Sequence, residues 1–235
     1  MTELYLSRAR LRASRGEALS AIAPILLPQD PGSRAGHAHR VLWLLFQDEP
    51  DSKRDFLWRD EGNGRYLILS RRRPSDPKGL FELESKPFAP SLQEGDLLRF
   101  ALRVNPVIST KEALSPEDRA ARRRGKRVDV VMYALHKIPK GERAKHRDQL
   151  VQQTVWHWLA AQGERAGFRL PQAPSVGRYS QTPIERKGGR AAGIAVVDVE
   201  GVIEITDPHA FMARLAQGFG SAKAFGNGLM LIRRA

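Results

Sequence analysis

The sequence predicts an α+β fold built twice over, and three observations carry that prediction. Alternating apolar stretches of strand length recur in both halves, most clearly at 4–11 and 97–104. Apolar residues at helical spacing separate them, in 39–46, 143–163 and 208–217. In the second half the elements run β-α-β-β-α-β, the order of a ferredoxin-like (RRM-like) domain. The first half gives a strand, a helix and several strands, a reduced copy of the same plan. Two tandem domains are expected, 1–95 and 96–235, and 235 residues suffice for two units of about a hundred residues each.

Each element has a local reason. Residues 4–11 alternate and carry arginines, so they read as a strand and not as a signal peptide. Pro, Gly and Asp make 28–36 a loop, and the 39–46 stretch after it is helical. Strands follow at 56–59, 66–70 and 80–87. Gly95-Asp96 turns the chain into the 97–104 strand, which leads to a basic insertion at 107–127 and a short strand at 128–133. The longest helix, 143–163, puts Leu150, Val151, Thr154, Val155, Trp158 and Leu159 on one side. Residues 175–185 and 194–205 form a strand pair, the second interrupted by Gly201. Asp207 and Pro208 are N-cap and first residue of a helix bearing Phe211, Met212, Leu215 and Phe219. Residues 229–232 are the closing strand.

Composition narrows the function. Thirty-nine Lys and Arg against 26 Asp and Glu give a formal charge of +13, which points to a polyanionic partner. The chain has no cysteine, so disulfides and cysteine-held metals are excluded, and a reducing cytoplasm fits. No apolar run approaches membrane-spanning length, so no membrane partner is expected. Six cations and no anion lie between Arg119 and Arg127: Arg119, Arg122, Arg123, Arg124, Lys126 and Arg127. A second cluster, Arg178, Arg186, Lys187 and Arg190, surrounds the Gly188-Gly189 turn. Double-stranded RNA is bound largely through phosphates and shape, which suits such clusters. A solvated insertion accounts for the first cluster equally well.

The most informative stretch is 218–228, with Gly218, Gly220, Gly226 and Gly228 in two G-x-G pairs around Lys223. Glycine permits positive φ and close backbone approach, and successive N–H groups can then cradle a phosphate. The order here is helix, loop, strand, whereas nucleotide-binding P-loops and Rossmann turns need strand, loop, helix. Gly218 also fits an ordinary helix C-cap. Lys223 reads either as a phosphate counter-charge or as an exposed turn lysine.

Four segments together resemble the CasE-type CRISPR-associated repeat-RNA endoribonucleases of the RAMP superfamily. These are the glycine loop with Ala222-Lys223-Ala224, His39 to Phe46 (His-x-x-Leu-Trp-x-Leu-Phe), Arg54 to Trp58 (Arg-Asp-Phe-Leu-aromatic), and Phe100 to Pro106 (Phe-x-Leu-Arg-x-Asn-Pro). The resemblance implies two ferredoxin-like domains, no cofactor, and metal-independent cleavage beside a CRISPR repeat stem-loop. It also implies partnership with other subunits of the Cascade complex in antiviral defence.

Such cleavage uses the substrate's 2′-hydroxyl as nucleophile, with a base to deprotonate it and an acid for the leaving 5′-oxygen. The products are a 2′,3′-cyclic phosphate and a 5′-hydroxyl. His39 is the first candidate, because the resemblance places the family's catalytic histidine there. Its expected place near a helix start would favour phosphate and the neutral imidazole. On residues alone, a half-buried histidine topping the stripe of Leu42, Trp43 and Phe46 fits as well. Where the family often has a tyrosine, this chain has Gly36, and His37 is the candidate for a second proton-transfer group. A non-catalytic RNA-binding subunit is the main rival. A magnesium nuclease using Asp76 with the Glu-x-Lys string Glu84-Ser85-Lys86, where Glu82 shares the strand face of Glu84, is a weaker one.

Overall fold

The computed structural model describes residues 3–12, 31–46, 55–112, 125–184 and 192–235. It is a mixed helix and strand structure with antiparallel sheets.

The first sheet contains β1 (Tyr5–Leu11), β2 (Phe56–Gly62), β3 (Arg65–Ser70) and β4 (Phe81–Pro87), in the order β2-β3-β1-β4. All three pairings are antiparallel. Helix α1 (Pro31–Trp43) runs into a 3₁₀ turn, Leu44–Phe46, and covers one face. Ala38, Val41, Leu42 and Leu45 recur at helical spacing and pack on Ala9, Phe56, Trp58, Tyr66, Ile68 and Phe81. No helix lies between β3 and β4 among the described residues.

The second sheet is built around β5 (Leu97–Val104). Its path is β10 (Ser180–Ile184), β11 (Ala192–Ile205), β5, β12 (Met230–Arg234), with β8 (Phe168–Arg169) and β9 (Ser175–Val176) also on β11. Helices α3 (Arg143–Ala166) and α4 (Pro208–Gln217) cover its apolar face, where Leu98, Phe100, Leu102 and Val104 meet Val155, Leu159, Phe211 and Leu215. The same core takes in Leu4, Leu57 and Leu69 of the first sheet, so apolar packing continues from one half into the other.

Four elements differ from expectation. Strand β11 runs unbroken through Gly201, which pairs with Phe100, and 175–185 is two strands, β9 and β10. Helix α1 begins at Pro31, so the segment read as a loop around Gly32 and Gly36 is helical. Residues 128–133 are not one strand. A hairpin, β6 (Val107–Thr110) with β7 (Lys126–Asp129), ends at Asp129, and α2 (Val130–His136) starts there. Asp129 accepts a hydrogen bond from Met132 N at 2.8 Å, an N-cap that overrides the strand preference of Val128, Val130 and Val131.

Candidate active site

Strand β2 is the edge strand on which the site is assembled. Successive side chains point to opposite faces. Phe56 and Trp58 therefore face α1, and Leu57 faces the second sheet. The His39 ring lies 5.9 Å from the Phe56 ring and 6.2 Å from Trp43, which is one helical turn further on. The imidazole is half-buried and its Nε2 is shielded from solvent.

The glycine loop grips the same strand from both sides. A Cβ on Gly218 would come within 2.8 Å of the Leu57 side chain, and one on Gly226 within 3.1 Å of the Trp58 ring. Gly220 lies against Val104 and Asn105, where a Cβ would sit 2.5 Å from each. All four glycines have positive φ, from 66° to 92°. Their first cause is thus packing within the protein. Gly218, Gly226 and Gly228 are buried. Gly218 N donates to Arg214 O and Gly228 N to Arg103 O, so neither amide is turned outward to a phosphate. Gly220 and the segment 221–225 are partly exposed.

Within that segment, Lys223–Phe225 form a 3₁₀ turn that packs directly against α1, which also meets β10. The helix bearing His39 and the loop bearing Lys223 therefore adjoin. Lys223 Nζ donates to the carbonyl of Gln217 at 2.7 Å, at the C-terminal end of α4. Arg127, on the exposed side of β7, donates from Nη2 to Ser221 Oγ at 2.7 Å. Ser221 N in turn donates to Asn105 O, whose own side chain donates to Ala195 O at 2.7 Å. The Arg127–Ser221 contact was invisible in sequence, because nothing local links a hairpin to a distant loop.

Other candidates are placed differently. His39 is the ninth of thirteen residues in α1, so the helix-start argument for its neutral form does not apply. His37 lies on the same helix two residues away, and such pairs do not face each other. Lys126 and Arg178 are exposed. Arg119, Arg122, Arg123, Arg124, Arg186, Lys187 and Arg190 lie outside the described residues, as does Arg54.

Arg178 precedes Tyr179, whose hydroxyl donates to Asp129 Oδ1 at 2.9 Å and ties β10 to the hairpin. Burial pushes both groups up, Asp129 above the usual carboxylate range and Tyr179 above the usual phenol range. A second tie joins the halves. Asp198 is held bidentately by Arg103 at 3.0 and 2.9 Å and approached by Arg59 of β2 at 3.6 Å. That carboxylate raises the affinity of Arg103 for its proton. The carboxylates weighed for magnesium are engaged separately: Asp76 accepts from Phe81 N, and Glu82 sits 3.7 Å from Arg10. Glu84 lines an open groove with Arg8, Arg10, Glu61, Arg65 and Glu82. No group of three or more His, Asp or Glu converges on a metal position among the described residues. No described helix is long and apolar enough to cross a membrane.

A family model described as "CRISPR associated protein" matches residues 4–234. The chain belongs to the CRISPR-associated protein family. Within it the chain is of the CasE type, as its four motifs suggest. It is 28% identical to the CRISPR system Cascade subunit CasE of Escherichia coli (strain K12) over 198 residues, 82% of this chain and 88% of that protein. It is 32% identical to the CRISPR-associated endoribonuclease Cse3 of Thermus thermophilus over 157 residues, 63% of this chain and 60% of that one. A solved structure of Cse3 bound to a 19-nucleotide RNA superposes with a TM-score of 0.65 at 26% identity, covering 99% of each chain.

Proposed function

We propose that this protein is a metal-independent endoribonuclease that binds a CRISPR repeat stem-loop and cuts precursor CRISPR RNA. In this reading it works as a subunit of a Cascade complex in the cytoplasm. The observation that carries the proposal is the packing of the His39 helix against the Lys223–Phe225 turn. It brings a titratable ring and a cation to neighbouring elements at the junction of two folded halves. Relatives named as a Cascade subunit and as an endoribonuclease support the reading. The order β2-β3-β1-β4 and the matching path β10-β11-β5-β12 support two ferredoxin-like domains, 1–95 and 96–235.

His39 is assigned proton transfer at the 2′-hydroxyl or at the leaving 5′-oxygen. Lys223, released from the Gln217 carbonyl, balances charge on the scissile phosphate. Lys126, Arg127 and Arg178 are assigned to phosphates of the stem, together with the arginines and lysine of 119–124 and 186–190. Gly218, Gly226 and Gly228 shape the loop from within, and only Gly220 is left to approach RNA. His37 is not assigned to the same phosphate as His39, since the helix turns it away.

The test is incubation of the purified protein with its repeat RNA in EDTA, followed by end-group analysis. Wild type is expected to leave 2′,3′-cyclic phosphate and 5′-hydroxyl ends. His39→Ala is expected to lower the cleavage rate by about 10²–10⁴ while RNA affinity stays within a small factor. A free 3′-hydroxyl product rejects the chemistry. Unchanged cleavage by His39→Ala rejects the histidine assignment and leaves the aromatic packing of its ring as its role. If the wild-type protein binds the hairpin and never cuts it, the non-catalytic RNA-binding subunit is the correct reading.

A further inference from the structure

Asn227 is a polar side chain in a place where the core has no need of one. It is 1% exposed and sits between Gly226 and Gly228. Its Nδ2 donates to the carbonyls of Ala222 at 3.3 Å and Phe225 at 3.2 Å, which bracket the 3₁₀ turn Lys223–Phe225. Its Oδ1 is shielded from solvent and meets no donor among the described residues. Burying an amide with part of its bonding capacity unmet works against stability, so the side chain is explained by what Nδ2 holds.

What it holds is strained. Ala222 has φ 54°, in the left-handed region that residues with a Cβ adopt at a cost. Asn63, in a hairpin turn, is the other described non-glycine residue with positive φ, and asparagine tolerates it better. The turn that Ala222 opens is also the element that packs against α1 and carries Lys223.

We propose that Asn227 is a positioning residue for RNA cleavage. Its carboxamide buckles the Ala222–Phe225 turn and so fixes Lys223 and the surface on which the His39 helix rests. The inference rests on the cleavage function proposed above. Asn227 reaches no substrate itself and acts through the loop.

The experiment uses the full chain and a repeat hairpin under single-turnover conditions in EDTA. Cleavage rate, RNA affinity and melting temperature are read in parallel for wild type, His39→Ala and the Asn227 variants. Asn227→Ala is expected to lower the rate about tenfold or more, as small misplacements at a reacting phosphate do, with RNA affinity changed less than about threefold. Adding Ala222→Gly supplies a residue that adopts the left-handed conformation without strain, so it should recover much of the lost rate. A purely structural role would lower rate and affinity together as the folded fraction falls. If Asn227→Ala does not fold, Asn227→Ser keeps one donor, and an intermediate rate at near-wild-type melting temperature is expected.

Wild-type cleavage by folded Asn227→Ala or Asn227→Ser overturns the inference, and so does failure of Ala222→Gly to restore the rate. In either case loss of cleavage in His39→Ala leaves the functional reading standing. Absence of cleavage by wild type removes both.

Discussion

Gly226→Ala puts the loop's packing role to a quantitative test. Gly226 has φ 76°, and a Cβ there would lie 3.1, 3.2 and 3.4 Å from three ring carbons of Trp58. Two costs combine. Holding an L-residue in the left-handed region costs about 1–2 kcal/mol. Pressing a methyl into a filled site costs about 1–3 kcal/mol. Trp58, only 1% exposed, has little room to yield. A loss of about 3 kcal/mol is expected, which moves a urea midpoint by roughly 1 M or more. The assay is urea unfolding followed by far-ultraviolet circular dichroism, with cleavage measured on the protein that remains folded. Gly36→Ala is the control. Gly36 is inside α1, and beyond its chain neighbours and the helix's own backbone nothing among the described residues lies within 4 Å of the place an alanine methyl would take. Alanine there should add about 0.5–1 kcal/mol of stability. An unchanged midpoint for Gly226→Ala refutes the clamp on β2. A lowered midpoint with a wild-type cleavage rate refutes the loop's part in placing the site.

Two further outcomes follow from charges near the site. Burial holds Asp129 above its ordinary value of 3.8, so its ionisation opposes the fold. The stability that comes with the raised value is complete below 3.8 and is lost as pH climbs through the raised value. Asp129→Asn should therefore gain on wild type as pH rises from the low threes towards neutrality, and urea titrations giving a pH-independent difference would contradict it. Asp198→Ala leaves Arg59 and Arg103 without the carboxylate they share. Its side chain is 41% exposed, so solvent screening keeps the expected loss near about 1 kcal/mol. A loss several times larger, measured by thermal melting, would mean that the halves depend on this tie far more than its exposure allows.

Much of the fold was legible because local signals agreed with tertiary ones. Asp207-Pro208 caps α4 as read, with Asp207 Oδ1 accepting from Ala210 N at 2.9 Å. Alternation in 97–104 buries Leu98, Phe100, Leu102 and Val104. Two readings failed where local preference lost. Gly32 and Gly36 lower helix propensity, yet α1 forms because Ala38, Val41, Leu42 and Leu45 are pinned to the first sheet. Valines at 128, 130 and 131 favour strand, yet one capping carboxylate turns the chain into α2. For the glycine loop, sequence located the motif and missed its first cause. For Gly218, Gly220 and Gly226 the missing Cβ would meet Leu57, Val104, Asn105 and Trp58, which no local pattern names, whereas Gly228 is closed in by Phe219 and Lys223 of the loop itself.

The motifs that resemble one family are, in three dimensions, parts of one arrangement centred on β2. His39 rests on Phe56, the glycine loop grips Leu57 and Trp58, and the same loop leans on the Val104-Asn105 end of β5. A strand has period 2, so a one-residue slip in β2 would exchange its faces. Phe56 and Trp58 would turn from α1, and Leu57 would take their place against the histidine helix. The β2–β3 turn guards against this. Gly62, Asn63 and Gly64 all have positive φ, and Gly62 N is tied to Asp60 Oδ1 at 2.7 Å beside a bulge between Asp60 and Gly62. Such a turn fixes register through the backbone conformations it demands. The Asn63-Gly64 turn, at the other end of β2 from Phe56, therefore fixes which face of β2 the histidine and the loop meet.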